Sequence, residues 1–273
     1  MALPLAKDEK RKAAEKRNKE RGHLVVKRND FVQKSRHKLS LQEQKIIQYL
    51  ISHVKPNDEN FTEHRFSIIE FCRFCGMDEK NGKNYHDIKE ALKALRDRSV
   101  WVEIEDGVET TLGWINKATI NKRSGTVMLK LDEDLKPFLL LLHEQYTMYE
   151  IHYTLAMKSK YSIRLYELLK SYAFKKTALL EIDELKRLLD AENHKLNGNF
   201  KAKVLDVALR EINEYTDISV EYSFQKEGNR YAHVWFGIDR KEAIDRFNAG
   251  NKVSQAIDNK PSTRQLSLSE VMG

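Results

Sequence analysis

Residues 199–238, NFKAKVLDVALREINEYTDISVEYSFQKEGNRYAHVWFGI, hold one helix, a tight break and two strands. Leu205, Ala208, Leu209 and Ile212 recur at helical spacing, so one face of 200–215 is expected to be buried. At about 100° per residue, Lys203, Asp206 and Arg210 stand together on the opposite face. Asn199 is the expected N-cap. Thr216-Asp217 breaks the helix, and Ile218, Val220, Tyr222 and Phe224 then alternate as a strand. Glu227-Gly228-Asn229 turns the chain, and Tyr231, His233, Trp235 and Gly237 lead the return strand. A helix with a polar, basic-edged outer face followed by a hairpin tipped by Lys226 and Arg230 has the pattern of a winged helix. There the helix can lie in a DNA major groove while the hairpin touches the backbone.

The chain has 273 residues, enough for two domains with a core each. Hydrophobic residues make up 41% and charged residues 33%, the balance of a soluble protein. The longest aliphatic run, 138–142, is far too short to cross a bilayer. The basic start has no apolar stretch behind it and does not read as a secretory signal. Cys72 and Cys75 are the only cysteines, so a reduced, cytoplasmic protein is expected. The formal charge is +7, yet residues 1–28 carry ten basic residues against four acidic, a net +6 of it. A folded body that binds nucleic acid must therefore segregate its charge onto one surface.

The first half reads as helix, helix, helix, then wing. Ser40 and Glu43 form a capping-box pattern ahead of an amphipathic helix stopped by Pro56. Ser67 caps a second helix carrying Ile68, Phe71, Cys72, Phe74 and Cys75, with Gly76 as its stop. A third helix follows the turn 81–84, with Ile88, Ala91, Leu92 and Leu95 inward. Strands are expected at 100–104, 110–120 and 126–131. The second half repeats the order, with helices from Ser159, at 182–189 and at 200–215. The expected fold class is α+β, two tandem winged-helix domains of three helices and a β-hairpin wing each. The division is a basic charged tail 1–22, a first domain 23–131, a connecting helical segment 132–150, a second domain 151–240 and a C-terminal tail 241–273.

Lys158-Ser159-Lys160-Tyr161-Ser162-Ile163-Arg164-Leu165-Tyr166-Glu167-Leu168-Leu169-Lys170 resembles the segment that opens the second winged helix of plasmid replication initiators of the iteron-binding Rep type. Val25-Val26-Lys27-Arg28-Asn29, followed by Leu39-Ser40-Leu41-Gln42-Glu43-Gln44-Lys45, resembles that family's entry into its first winged helix. The resemblance runs from about Leu24 to Ile238. It implies tandem winged helices that bind repeated double-stranded sites in a plasmid origin, promote strand opening and help load host replication factors, an initiator and a helicase. It also implies dimers, associating mainly through the first domain, that repress the protein's own gene. The basic tail before Leu24 is outside the pattern.

Lys203 and Arg210 are candidates for guanine edges or phosphates, and Asp206 for accepting from cytosine. Lys201 lies in the first turn, where groove contacts are common. Any solvated helix face would show such residues, and the wing that follows, with the resemblance, favours DNA contact. The third helix of the first half holds His86, Lys89, Glu90, Lys93 and Asp97 on its outer face with Arg96 at the flank, and its carboxylates oppose phosphates unless Glu90 or Asp97 pairs with Lys93. That domain is expected to give phosphate contacts or dimerisation more than base reading. Lys158, Lys160 and Arg164 sit at a helix start where a phosphate could be held, against the alternative of an Arg164–Glu167 pair on a solvated face.

Catalytic readings fare poorly. Cys72 and Cys75 lack a second pair to complete a zinc site and read as core. No two of the nine histidines are one residue apart, so the His-hydrophobe-His site of nicking enzymes is absent. No glycine-rich loop ends in Gly-Lys-Ser/Thr. The expectation is a non-enzymatic origin-binding initiator without cofactor or metal. The alternatives are a winged-helix transcription regulator without a replication role, and an adaptor that binds protein partners.

Overall fold

Ser40 and Ser67 start two helices by the same device. Each hydroxyl accepts from the backbone N–H three residues on, and Glu43 or Glu70 accepts in return from the cap residue's own N–H. Two donors orphaned by each helix start are thereby satisfied. The computed structural model describes residues 12, 15–16, 19–55, 57–77 and 82–258. The expected stop at Pro56, most of the expected tail 1–22 and residues 259–273 of the expected C-terminal tail lie outside the described residues.

In chain order the first half runs β1 (Leu24–Arg28), α1 (Asn29–Lys34), β2 (Ser35–Arg36), α2 (Leu41–Ile51), β3 (His64–Ser67), α3 (Ile68–Phe74) and α4 (Gly82–Asp97). Ile88, Ala91, Leu92 and Leu95 of α4 are buried, as their spacing predicts. The expected strand at 110–120 is two strands in different sheets. β4 (Ser99–Glu105) pairs with β5 (Val108–Gly113), and β6 (Ile115–Asn121) pairs with β7 (Thr126–Leu131). The corner between them is Trp114, buried edge-on against Phe31 and His37. Burying its large apolar surface in the core favours the bend that places it there.

The segment 132–150 is also corrected. It is helical only at Glu133–Leu135 and α5 (Lys136–Leu139), and it ends in β8 (Tyr146–Glu150), antiparallel to β1. Thr147 and Tyr149 point inward and Tyr146 and Met148 outward, a period of two. The first domain thus takes back a strand from the segment expected to lead out of it.

The second half comprises α6 (His152–Leu155), α7 (Lys160–Tyr172), β9 (Thr177–Glu181), α8 (Ile182–Leu188), α9 (Asn197–Phe200), a π-helical stretch Lys201–Leu205, α10 (Asp206–Tyr215), β10 (Ile218–Glu227) and β11 (Arg230–Arg240). β11 lies between β10 and β9. The helix starts two residues before Asn199, so Asn199 is inside it and not its cap.

Neither tail is free over its described part. Residues 241–273 include α11 (Ala243–Asp258), which buries Ile244, Ala249, Val253 and Ile257. Arg21, placed by sequence in the basic tail, is 3% exposed. Its guanidinium grips Asp258 with two bonds of 2.8 and 2.9 Å and caps the last carbonyls of α3 at Arg73 and Phe74. Gly76, at φ +68°, leaves room for α11: a Cβ there would meet the Ile257 backbone at 2.5 Å.

The two halves meet at a buried polar cluster. Glu167 of α7 accepts from Lys27 of β1, from Gln48 of α2 at 3.2 Å and from the Tyr149 hydroxyl of β8. Lys45 of α2 donates to the Leu155 carbonyl at 2.7 Å. Burial pushes the Glu167 carboxyl up, and Lys27 and Arg164 more than reverse this, so it stays below the usual glutamate range. A depressed carboxyl gives stability that is present above the ordinary glutamate pKa and lost as pH falls through the folded value. Glu167→Gln should therefore flatten the acid limb of the stability–pH curve below about pH 4.3. Urea unfolding across that range checks this, and an unchanged acid limb would refute it. Gly76→Ala should cost about 1–3 kcal/mol, from strain at positive φ and the clash with Ile257. An unshifted unfolding midpoint would show that α11 does not pack there.

Candidate nucleic-acid interface

Phe200, Val204, Ala208 and Ile212 are all 0% exposed and recur every fourth residue. Three α-helical turns advance about eleven residues, one fewer than this repeat covers, and the π-helical stretch Lys201–Leu205 absorbs the difference. The consequence falls on the outer face. Lys201, five residues before Asp206, reaches its carboxylate at 2.9 Å. The Tyr222 hydroxyl of β10 donates to the same carboxylate at 2.6 Å. The Tyr222 bond, with Lys201 adding to it, holds the Asp206 carboxyl below its usual range against a smaller push from burial. Burial and that carboxylate keep the Tyr222 phenol above its usual value, so it stays a donor. Asp206, expected to accept from cytosine, already accepts from Lys201 and Tyr222, so a base would compete with two protein donors for it. Lys203 and Arg210 are exposed and make no hydrogen bond or ion pair among the described residues.

The wing extends from this helix. Tyr222 lies 6.2 Å from Phe236 and 6.0 Å from Phe224, and Phe224 lies 5.7 Å from Tyr231, ring centre to ring centre. Lys226 sits 5.2 Å over Tyr231, and Lys201 sits 5.8 Å over Tyr222. The aromatic row stiffens the hairpin, and Lys226 and Arg230 stand exposed at its tip on either side of Gly228, whose φ is +59°. A groove of about 850 Å³ opens between the wing and the start of α9, lined by Asp183, Lys186, Lys195, Asn197, Arg230 and His233.

Of the three cations expected at the start of α7, one stays free. Arg164 is 3% exposed and donates to the Leu188 carbonyl at 3.2 Å and the Ser35 carbonyl at 2.7 Å, so it joins the halves and cannot reach a phosphate. Lys160 is paired with Asp190 at 2.5 Å. The Lys158 side chain is exposed, while its backbone N–H donates to Glu211. Arg164 and Glu167 lie on the polar face of α7, and that face is buried against β1, α2, β8 and Ser35. The alternative of a solvated Arg164–Glu167 pair is corrected with it, since both side chains are buried, 3.9 Å apart.

In the first half Lys89, Lys93 and Arg96 are exposed on α4. Neither Glu90 nor Asp97 pairs with Lys93 among the described residues. The two hairpins differ in sign. β4–β5 carries Glu103, Glu105, Asp106 and Glu109, with Trp101, Ile104 and Val108 about half exposed. β6–β7 carries Lys117, Lys122 and Arg123, all exposed. The last two sit at a hairpin tip, and two adjacent cations between expected strands are the sequence signal for them. Among the described residues no three His, Cys, Asp or Glu side chains converge as a metal site requires. Cys72 and Cys75 are buried, and burial pushes the Cys75 thiol up to about 12.

Two family models match the chain. One, described as initiator replication protein, WH1, covers residues 24–170, and the other, initiator Rep protein, WH2, covers residues 181–238. A replication initiation protein of Escherichia coli is 28% identical over 256 residues, which span 88% of this chain and 78% of that protein. The crystal structure of a Pi initiator protein in complex with iteron DNA superposes with a TM-score of 0.65 at 21% identity. That match covers 81% of this chain and 99% of the other, and at such identity it speaks for the fold alone.

Arg164→Ala leaves Glu167 short of a buried cation and two carbonyls without a donor. It should cost about 3–5 kcal/mol of stability while leaving the preferred DNA sequence unchanged. Urea unfolding and site selection from random duplexes check the two halves of this statement. A changed sequence with unchanged stability would return Arg164 to the DNA.

Proposed function

The chain belongs to the initiator replication protein family, and from that premise we propose that it binds repeated sites in a plasmid origin as double-stranded DNA through both winged helices. The observation that carries this is the pair of free cations Lys203 and Arg210 on the outer face of the second domain's third helix, beside a wing tipped by Lys226 and Arg230. Lys201, held by Asp206, adds a cation in the first turns. Lys158 is placed to meet a phosphate, and Lys160 would do so only by leaving Asp190. In the first domain Lys89, Lys93 and Arg96 supply phosphate contacts, with Lys122 and Arg123 at a hairpin tip beside them in charge. A monomer engaging two successive major-groove faces about 10 bp apart would cover roughly two helical turns.

The acidic β4–β5 hairpin would repel phosphates and suits protein contact. Its half-exposed Trp101, Ile104 and Val108, with β5 at the sheet edge, support a dimer formed through the first domain. Such a dimer would bind an inverted version of the site and repress the protein's own gene. Origin opening and recruitment of the host initiator and helicase complete the role, which is non-enzymatic and cytoplasmic. The family premise ranks this above a transcription regulator that takes no part in replication.

Binding to the origin repeat should weaken steeply with salt, since each neutralised phosphate adds to the slope. Arg210→Ala should cost about 1–3 kcal/mol on the preferred site and relax preference at one position, whereas Lys226→Ala should cost similarly on all sequences. Titrations on specific and scrambled duplexes distinguish these. Equal losses from both variants on every sequence would remove Arg210 from base reading, and a flat salt response would remove DNA altogether. A single palindrome as the only selected site would move the function to repression.

A further inference from the structure

Lys203 and Arg210 stand exposed on the helix 197–215, Lys226 and Arg230 on the β10–β11 hairpin, and Asp206 ties these two elements together. Its bond to Tyr222 crosses from helix to wing, and its pair with Lys201 spans five residues along the helix. Residues five apart in an α-helix are turned about 140° from one another and do not meet. The π-helical stretch Lys201–Leu205 turns them onto one side. That stretch is held from within, because Phe200, Val204, Leu205, Ala208 and Ile212 are all fully buried. The core thus fixes the geometry that lets Lys201, Asp206 and Tyr222 converge.

We propose that Asp206, Tyr222 and Lys201 form a positioning unit that fixes the wing against the recognition helix and so sets sequence preference, with Asp206 acting through its two partners and not on a base. The inference rests on the DNA-binding reading of this domain. A carboxylate facing a phosphate backbone opposes binding unless it is neutralised, and here Lys201 and the Tyr222 hydroxyl neutralise it within the protein. Held in this way, Lys226 and Arg230 meet the backbone at one fixed distance from the contacts of Arg210. Released, the wing samples several distances, and a wrong base pair can be accommodated by adjustment of the wing.

A double-mutant cycle on the full chain tests this. Tyr222→Phe removes only a hydroxyl and should weaken binding to the preferred duplex by about three- to tenfold, as Asp206→Ala does. The double variant should be no weaker than Asp206→Ala alone. The loss caused by Lys226→Ala should shrink in either background, because the wing is no longer held. Relaxed preference at one base pair in Asp206→Ala, with wild-type behaviour of Tyr222→Phe on every sequence, would overturn the proposal and make Asp206 a base reader. A second measurement needs no DNA: amide hydrogen exchange over 201–206 and 222–226 should quicken in Asp206→Ala. Unchanged exchange there would overturn the positioning unit. A wild-type protein that selects no sequence would instead refute the underlying DNA reading, leaving the exchange result to decide the coupling by itself.

Discussion

A carboxylate with almost no access to solvent sits where the two halves of the molecule meet. Glu167 projects from α7, and its partners Lys27, Gln48 and Tyr149 come from β1, α2 and β8. An ionised group in that position is tolerable only when every partner is in place, because an unpaired buried charge costs several kcal/mol, on the order of 3–5. Arg164, one helical turn away, adds bonds to Ser35 of the first half and to Leu188 of the second. The polar face of α7 therefore specifies a single seat for this helix. Everything downstream, including the recognition helix and the wing, inherits its placement from that seat.

The chain ends reinforce the same arrangement. α11 returns from the second domain, packs on α6 and α10, and reaches the first domain at Gly76. Arg21 then joins Asp258 to the end of α3, so segments more than two hundred residues apart in sequence close on each other. Only a glycine at position 76 allows this approach, since the backbone there is left-handed and the neighbouring chain leaves no room for a Cβ. The two winged helices are thus joined on two sides, by the Glu167 cluster and by the α11 brace.

The parts legible from sequence were those written in local chemistry. The capping boxes at Ser40 and Ser67, the apolar stripe of α4 and the Gly228 turn each follow from a few adjacent residues. What escaped depended on distant partners. β8 reads as helix from the sequence because its outward residues, Tyr146 and Met148, are as apolar as its inward ones, which hides a period of two. α11 reads as tail from the sequence because Asn248, Gly250 and Asn251 dilute its stripe. Arg164 and Glu167 were placed correctly on the polar face of their helix, yet a polar face can be buried against another polar surface, and hydropathy carries no trace of that. The π-helical stretch Lys201–Leu205 leaves no local mark, because Leu205, Ala208, Leu209 and Ile212 keep ordinary helical spacing. Assuming a uniform 3.6-residue turn grouped Lys203 with Asp206 and missed the Lys201 pair.

If the two winged helices are held as one body, the DNA they contact must present its grooves in one fixed phase. The direct test is to footprint the monomer on its selected duplex, then insert five base pairs between the two protected segments and measure binding again. Half a helical turn moves the second groove face to the opposite side of the duplex. The account predicts that affinity falls to that of a single domain's contacts and that one of the two protected segments disappears. Undiminished affinity with both segments still protected would mean that the domains move independently, and that the Glu167 cluster and the α11 brace do not fix their arrangement.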